Sequence, residues 1–488
     1  MMNNPFDFDA DTFHEECGVF AVFNHEEASA LTALGLHALQ HRGQEAAGIV
    51  SQCDDTFYAR RALGLVDDTF GEKDVIDYLE GSMAIGHNRY ATSGDTLLKN
   101  VQPLYGDLSF GGMAIAHNGN LTNAHDIRNQ LIEKGSIFQS TTDSEVIVHL
   151  VARSVRKTIE EKLSESLKQV KGAYSLIAMT KDKIIGVRDP LGIRPLVLGR
   201  FGDAYILASE TCALDIIDAE YVRDIEPGEM VSITAEGLMS RKPFDETKGS
   251  RFCIFEYIYF ARPDSFLEGK TVYEVRKEIG AELARESNVA DADIIVPIPD
   301  SGVPSAIGFA EESGIPFDLG IIRNHYVGRT FIEPTDQIRN LGVRLKHNTN
   351  APFIKGKKVV LVDDSIVRGT TSKKIVEMVR AAGAKEVHMR ISSPPTKHSC
   401  FYGIDTPSTD KLMAHKYSIE NIAEYIGADS LAYISTDGLY RAVGEAKRKA
   451  DQPQYCDACF TGDYAVELVD HHNKKTGSNV TKLRERQK

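Results

Sequence analysis

The 488-residue chain has no tryptophan, and its long apolar runs are missing too. No stretch approaches the roughly 18 consecutive apolar residues of a membrane-spanning helix, which excludes a helical membrane span. A surplus of positive charge is also absent. Lys and Arg total 56 against 70 Asp and Glu, a formal net charge of −14 at pH 7. Such a surface repels phosphate backbones and argues against nucleic acid as a partner. Cysteine is sparse and odd in number, seven in all. That count fits a reducing cytoplasm in which thiols act as ligands or nucleophiles. The first 16 residues lack the cationic segment of a secretory signal and carry Asp7, Asp9, Asp11, Glu15 and Glu16 instead. There is no repeat of solenoid period and no low-complexity tract. What remains is an acidic globular protein, long enough for two domains of about 230 residues or three smaller ones.

Two halves separate at the polar, Pro- and Gly-containing stretch 241–250. Before it, short strands are expected at Gly18–Phe23, Met83–Asn88, Tyr174–Thr180 and Ala204–Ser209, with helices at Glu26–Leu39 and about Asp143–Gln169. After it the pattern becomes strand–turn–helix: Asp293–Pro297 then Val303–Glu312, and Lys358–Val362 then Thr371–Ala382, followed by strand Val387–Ile391. That alternation predicts a parallel sheet with ligands at the carboxyl ends of its strands. The tail from Lys474 to Lys488 holds six Lys or Arg against one Glu and reads as a solvated end.

Cys17 opens the strand Cys-Gly-Val-Phe-Ala-Val-Phe behind the acidic leader. A lone cysteine there is ordinarily a small buried hydrophobe. It is followed in order by Leu39-Gln-His-Arg-Gly-Gln44, Gly86-His-Asn-Arg-Tyr-Ala-Thr-Ser-Gly94, His117-Asn-Gly-Asn120 and Thr142-Asp-Ser-Glu145. As an ordered set these resemble the glutamine amidotransferases of the N-terminal-nucleophile (Ntn) class. The resemblance implies a four-layer αββα domain and a leader, residues 1–16, removed by cutting Glu16–Cys17. The freed α-amine, which ordinarily titrates at about 7.7–8.0, then takes the thiol proton. Asn118 and the Gly119 N–H are expected to donate to the tetrahedral oxyanion, about 2.7–4 kcal/mol per donor. Arg89 is expected to clamp the glutamine carboxylate and Asp143 to pair with its α-ammonium. Asn118-Gly119 also reads as a turn, which can present the same N–H. Arg188-Asp-Pro-Leu-Gly-Ile-Arg-Pro195 and Ser209-Glu210 match later family segments and read as structural.

The sharpest motif is Val359-Val-Leu-Val-Asp-Asp-Ser-Ile-Val-Arg-Gly-Thr-Thr-Ser372. An apolar strand delivers two carboxylates, and a Ser/Gly/Thr loop then opens a helix whose amides can hold a phosphomonoester. The segment resembles the phosphoribosyl-pyrophosphate (PRPP) loop of type I phosphoribosyltransferases. On that resemblance Asp363 and Asp364 hold the ribose hydroxyls and Mg²⁺. Ser365, Arg368, Gly369, Thr370 and Thr371 belong to the cradle of the 5′-phosphate. Pro297-Ile-Pro-Asp-Ser-Gly302 resembles the pyrophosphate loop, with Ser301 near the metal. The basic stretch from His325 to Pro334 and on to Lys346 matches a closing lid.

Joined in this order, over residues 17–470, the halves resemble the amidophosphoribosyltransferases. The implied organisation is a leader, a glutamine domain at 17–245, a phosphoribosyltransferase domain at 250–470 and a polar tail at 471–488. Ammonia set free at Cys17 would pass along a sheltered path to the ribose C1 carbon. The family also implies the first committed step of purine synthesis, feedback by purine nucleotides and a homo-oligomer, a tetramer. Cys456-Asp-Ala-Cys459, with Cys253 and Cys400, could hold Zn²⁺ or a [4Fe–4S] cluster, and spacing does not choose. One family branch combines an acidic cleaved leader with four cluster cysteines, which favours iron–sulfur. Cys53 and Cys212 match no motif and default to buried thiols.

Two rivals have other signatures. A hexosamine-forming Ntn synthase would need sugar-isomerase repeats in place of Asp363-Asp-Ser. A PRPP-sensing regulator without catalysis would need a basic DNA-binding face and no Cys17, Arg89 and Asp143.

Overall fold

The computed structural model describes residues 14–15, 17–90, 97–245, 249–324 and 347–472. Most of the leader, the linker's centre, the expected lid and the tail from 473 onward lie outside the described residues, as do Ala91 to Gly94 of the second motif.

The N-terminal half stacks two antiparallel sheets. The first runs Glu220–Asp224, Val197–Phe201, Ala204–Ala208, Cys17–Phe23, Met83–Arg89, Ala46–Cys53 and Thr56–Leu63 in spatial order. The second runs Gly237–Arg241, Met230–Thr234, Ile184–Arg188, Gly172–Met179, Gly111–Leu121 and Leu104–Leu108. Side chains alternate faces along a strand. Val19 and Ala21 therefore meet Ala116 and Ile177 between the sheets, while Phe20 and Val22 turn outward onto Leu36 of helix Ala28–Ala38. Burial on both faces explains why Cys17–Phe23 is apolar throughout. It is a central strand, fourth of the seven in its sheet.

Helices on the other outer face complete four layers, αββα. The single helix expected over about Asp143–Gln169 is two, Glu145–Arg153 and Ile159–Leu167. Thr158 caps the second: its hydroxyl accepts the Glu161 N–H while the Glu161 carboxylate accepts the Thr158 N–H. Such a capping box starts a new helix where the apolar period alone reads as one.

The C-terminal half is built on a four-stranded parallel sheet, ordered Ile294–Pro297, Lys358–Asp363, Glu386–Ile391 and Ser430–Tyr433. Its first two strands carry unbroken apolar runs, Ile294 to Pro297 and Val359 to Val362, because both faces are covered, whereas Glu386–Ile391 interposes His388 and Arg390. Pro297 is in register with Val362, so the carboxyl ends carrying Ser301 and Asp363 lie side by side.

The two halves share one hydrophobic core, in which Phe20 and Ile193 join Phe252, Tyr257 and Leu283. Among the described residues no helix is long and apolar enough to cross a membrane.

Candidate active site

Cys17 is buried at the head of its strand and is the register partner of Arg89 on the neighbouring strand. The ladder thus brings the expected nucleophile and the expected carboxylate clamp together. Arg89 is buried, with Nη1 donating to the Asn100 carbonyl. Asn118 lies on the facing sheet, in the strand packed against that of Cys17. It is fully buried, and neither amide atom has a hydrogen-bond partner. An unmet buried amide costs roughly 1–3 kcal/mol, which a bound ligand can offset.

Asn118-Gly119 is not a turn. The strand Gly111–Leu121 runs straight through it, with Gly119 at φ +141°. A β-carbon on Gly119 would meet the Ala173 carbonyl oxygen at 2.0 Å, so only glycine fits. Close pairing with the adjacent strand, not hairpin geometry, fixes the residue type.

Asp143 accepts the Leu121 N–H at 2.9 Å and the Ser144 N–H at 2.8 Å. It lines a pocket of about 260 Å³ with Asn120, Arg128, Thr141, Phe401 and His471. Two of those wall residues come from the C-terminal half. Behind the site His87 Nε2 lies 3.1 Å from the His117 carbonyl, tying the sheets together. Burial, with help from Arg89, lowers His87 to about 3 and keeps it neutral. Gln102 Oε1 accepts the His117 N–H at 2.8 Å. Neither the bracing by Gln102 nor that by His87 could be read from a motif.

At the second site Asp363 and Asp364 are both buried at the end of their strand. The Asp364 N–H donates to Asp363 Oδ1 at 2.9 Å, and Ser365 Oγ donates to Asp364 Oδ1 at 2.6 Å. Burial raises the Asp364 carboxyl, against hydrogen bonds from Ser301 and Ser365 and the charge of Arg276. Arg276, buried and donating to the Tyr257 and Ala261 carbonyls, belongs to no motif. Two adjacent desolvated carboxylates and two hydroxyls make a hard oxygen donor set of the kind that suits Mg²⁺. Gly369, at φ +75°, caps helix Thr370–Ala381. Thr370 and Thr371 open its first turn, whose N–H groups make a ready anion site, and Ser365 and Arg368 lie in the loop leading into it.

Cys253, Cys400, Cys456 and Cys459, a set that the family resemblance and not the spacing implies, lie within reach of one another. Strand Phe252–Cys253 pairs in parallel with Tyr455–Cys456, placing Cys253 opposite Cys456. The Cys459 carbonyl accepts the N–H groups of Lys397 and His398, bringing the Cys400 segment alongside. Burial pushes the Cys253 thiol up to about 12, with Arg194 lowering it and Cys400 raising it. The thiols of Cys456 and Cys459 are likewise raised by burial, and each feels Cys253 and Cys400. None of the four is in a disulfide, and four neighbouring cysteines whose thiolates would repel one another fit a cationic centre that takes thiolate ligands. Among the described residues, no three His, Cys, Asp or Glu close on one point as a single-ion site. Cys212 is buried as expected, but Cys53 is only half-buried.

Between the sites, Arg42, Arg194, Glu210 and Glu256 are completely buried. Arg42 bonds both acids; Glu210 also accepts from Ser265 Oγ at 2.7 Å and the Arg262 N–H at 2.8 Å. Arg188 Nη1 reaches Glu268 at 2.6 Å. Motifs that read as structural are indeed the mortar between the halves.

An Ntn-type glutamine site feeding a parallel sheet with a PRPP loop defines a two-domain, glutamine-dependent phosphoribosyl transferase. Residues 87–215 match the glutamine amidotransferase domain family and residues 268–395 the phosphoribosyl transferase domain family. An amidophosphoribosyltransferase of Rhizobium etli is 55% identical over 97% of both chains. One of Bacillus subtilis is 48% identical over 93% of this chain and 95% of its own. A solved structure of glutamine PRPP amidotransferase from B. subtilis, complexed with ADP and GMP, superposes with a TM-score of 0.87. It is 47% identical and covers 93% of this chain and 98% of its own. The chain belongs to the amidophosphoribosyltransferase family.

Proposed function

We propose that the chain carries out the family's reaction with the residues placed above. Glutamine, PRPP and water give 5-phosphoribosylamine, glutamate and pyrophosphate, the first step of purine biosynthesis. The single observation that carries the assignment of residues is the buried, unpartnered amide of Asn118 on the strand packed against the paired strands of Cys17 and Arg89.

After the leader 1–16 is removed, the α-amine of Cys17 accepts the thiol proton and the sulfur attacks the glutamine amide carbon. The Asn118 amide and the Gly119 N–H receive the oxyanion. Collapse expels ammonia with the held proton and leaves a thioester, which water converts to glutamate. Arg89 and Asp143 hold the carboxylate and α-ammonium of glutamine throughout. Ammonia then attacks C1 of PRPP and pyrophosphate departs. A path between the halves, closed to water, keeps the ammonia unprotonated.

Asp363, Asp364 and Ser301 would hold Mg²⁺, which when bound neutralises the pyrophosphate leaving group. Ser365, Arg368, Gly369, Thr370 and Thr371 cradle the 5′-phosphate. Cys253, Cys400, Cys456 and Cys459 would hold a [4Fe–4S] cluster as a structural cross-link. Support for the cluster over zinc is the acidic leader and four-cysteine pattern together. The domain limits 17–245 and 250–470, the polar tail, a cytoplasmic setting, a homotetramer and feedback by purine nucleotides complete the proposal. The nucleotide complex of the B. subtilis relative supports the last of these.

The test compares glutamine-dependent with ammonia-dependent synthesis in one preparation. Asn118→Ala should lower only the former, by about 10²–10³-fold. An equal fall in both would overturn the division of labour.

A further inference from the structure

The backbone of Gly119 is confined from two sides. On one lies Ala173 of its own sheet, as described. On the other lies Gly403, from a loop of the C-terminal half. A β-carbon on Gly403 would sit 2.9 Å from Gly119 Cα and 3.1 Å from its carbonyl carbon. The contact is backbone on backbone, so no rotamer change can relieve it. Asn120, one residue on, donates from Nδ2 to the Phe401 carbonyl at 2.9 Å.

The loop itself is well tied. The Cys400 N–H donates to Thr406 Oγ1 at 2.7 Å. The Tyr402 hydroxyl donates to the Val466 carbonyl and accepts its N–H, each at 2.8 Å. Gly403 is itself buried, at φ +107°. Nothing in the sequence of either domain points to the pairing: Gly119 is already required by Ala173 on its own sheet, and Gly403 meets it only in the folded chain.

We infer that Gly403 is a positioning residue for glutamine hydrolysis: the phosphoribosyl half sets the direction of the Gly119 oxyanion donor through this contact. The inference rests on the reading of Asn118 and Gly119 as the oxyanion pair. Hydrogen bonds to a developing oxyanion count only when aimed at its final position, and a misplacement of about 1 Å can cost 10²-fold. The domain that consumes ammonia therefore completes the site that makes it.

Gly403→Ala adds one methyl against Gly119 and strains the loop at positive φ. The expected result is a fall in kcat for glutamine hydrolysis of about 10–100-fold. KM for glutamine should stay within about twofold and ammonia-dependent synthesis should be unchanged, because Arg89, Asp143 and the PRPP site are untouched. An unchanged kcat, or a change confined to KM, overturns the inference. If Gly403→Ala also loses ammonia-dependent synthesis, Tyr402→Phe decides, since it loosens the loop's tie to Val466 without adding an atom or touching the Asp143 pocket. A lowered kcat at constant KM then supports the role and an unchanged kcat refutes it. Asn118→Ala run in parallel separates the two ideas. If it has no effect, the oxyanion reading fails; if it is impaired while Gly403→Ala is normal, only the present inference fails.

Discussion

Arg42 donates through Nη2 to Glu256 at 2.8 Å, and neither side chain has any exposed surface. One lies beside the Cys17 strand and the other at the start of the second half, so the pair crosses the domain junction. Arg194 reaches the same carboxylate at 3.1 Å. Breaking a buried pair by removing one partner strands the other charge. Glu256→Gln should cost on the order of 3 kcal/mol. It should shorten the thermal half-lives of both activities together. Selective loss of one activity, at unchanged thermal stability, would contradict a joint structural role.

Glu210 gives this junction a pH signature. Burial alone would raise its carboxyl, but Arg42 and His41 hold it well below the usual carboxylate range. A depressed carboxyl contributes stability in full above its unfolded pKa of about 4.3, and that contribution drains away as pH falls toward the folded value. Glu210→Gln should therefore destabilise the protein at neutral pH and flatten the acid limb below about pH 4.3. Melting temperature followed from neutral to acid pH measures the slope; parallel curves for the two proteins would dismiss the idea.

The leader proposal predicts a mature protein whose intact mass lacks residues 1–16. Cys17→Ala should retain them, abolish glutamine use and leave ammonia-dependent synthesis standing. Full glutamine-dependent activity in a protein still carrying Met1 would sink it.

Asp363→Asn or Asp364→Asn should reduce glutamine- and ammonia-dependent synthesis by the same factor, because both reactions share the PRPP site. Glutaminase assayed without PRPP checks that the first half is intact. A drop limited to the glutamine-dependent rate would reassign the pair.

Cys456→Ser should abolish bound iron and sulfide and lower thermal stability, since a centre joining distant segments restrains the unfolded chain. The wild-type protein, purified without oxygen, should be brown with about four irons per chain. Stoichiometric zinc in a colourless sample would leave a tetrahedral clasp instead.

Much of the chemistry is legible because it resides in short contiguous runs. Val359 to Ser372 spells strand, carboxylates and helix start in one segment, and the structure keeps that order. Cys17 and Arg89 are 72 positions apart, and only the ordered family motifs join them; strand register then makes them neighbours. What stays hidden depends on tertiary contact alone. Arg276 carries no motif, yet its charge bears on Asp364. Gln102 braces the Asn118 strand through two hydrogen bonds to the His117 backbone, and His87 through one to its carbonyl. The helix break at Ser154 to Thr158 escapes a reading by periodicity because the apolar period continues across it while the cap signal is polar.

The last described helix, Val469–His472, returns to the first half of the chain. Asp470 accepts the N–H groups of His125 and Asp126 at 2.8 and 3.1 Å, capping helix Ala124–Glu133. Thr122 Oγ1 donates to the Glu467 carbonyl at 2.7 Å. During synthesis the amino-terminal half leaves the ribosome first, and domains commonly fold in that order. Here a helix that lines the Asp143 pocket waits for a cap that is translated some 340 residues later. A nascent chain can thus build its first sandwich early but cannot finish that pocket until translation is nearly over. Cutting the gene at the linker would yield two polypeptides, neither carrying the whole of the Asp143 pocket.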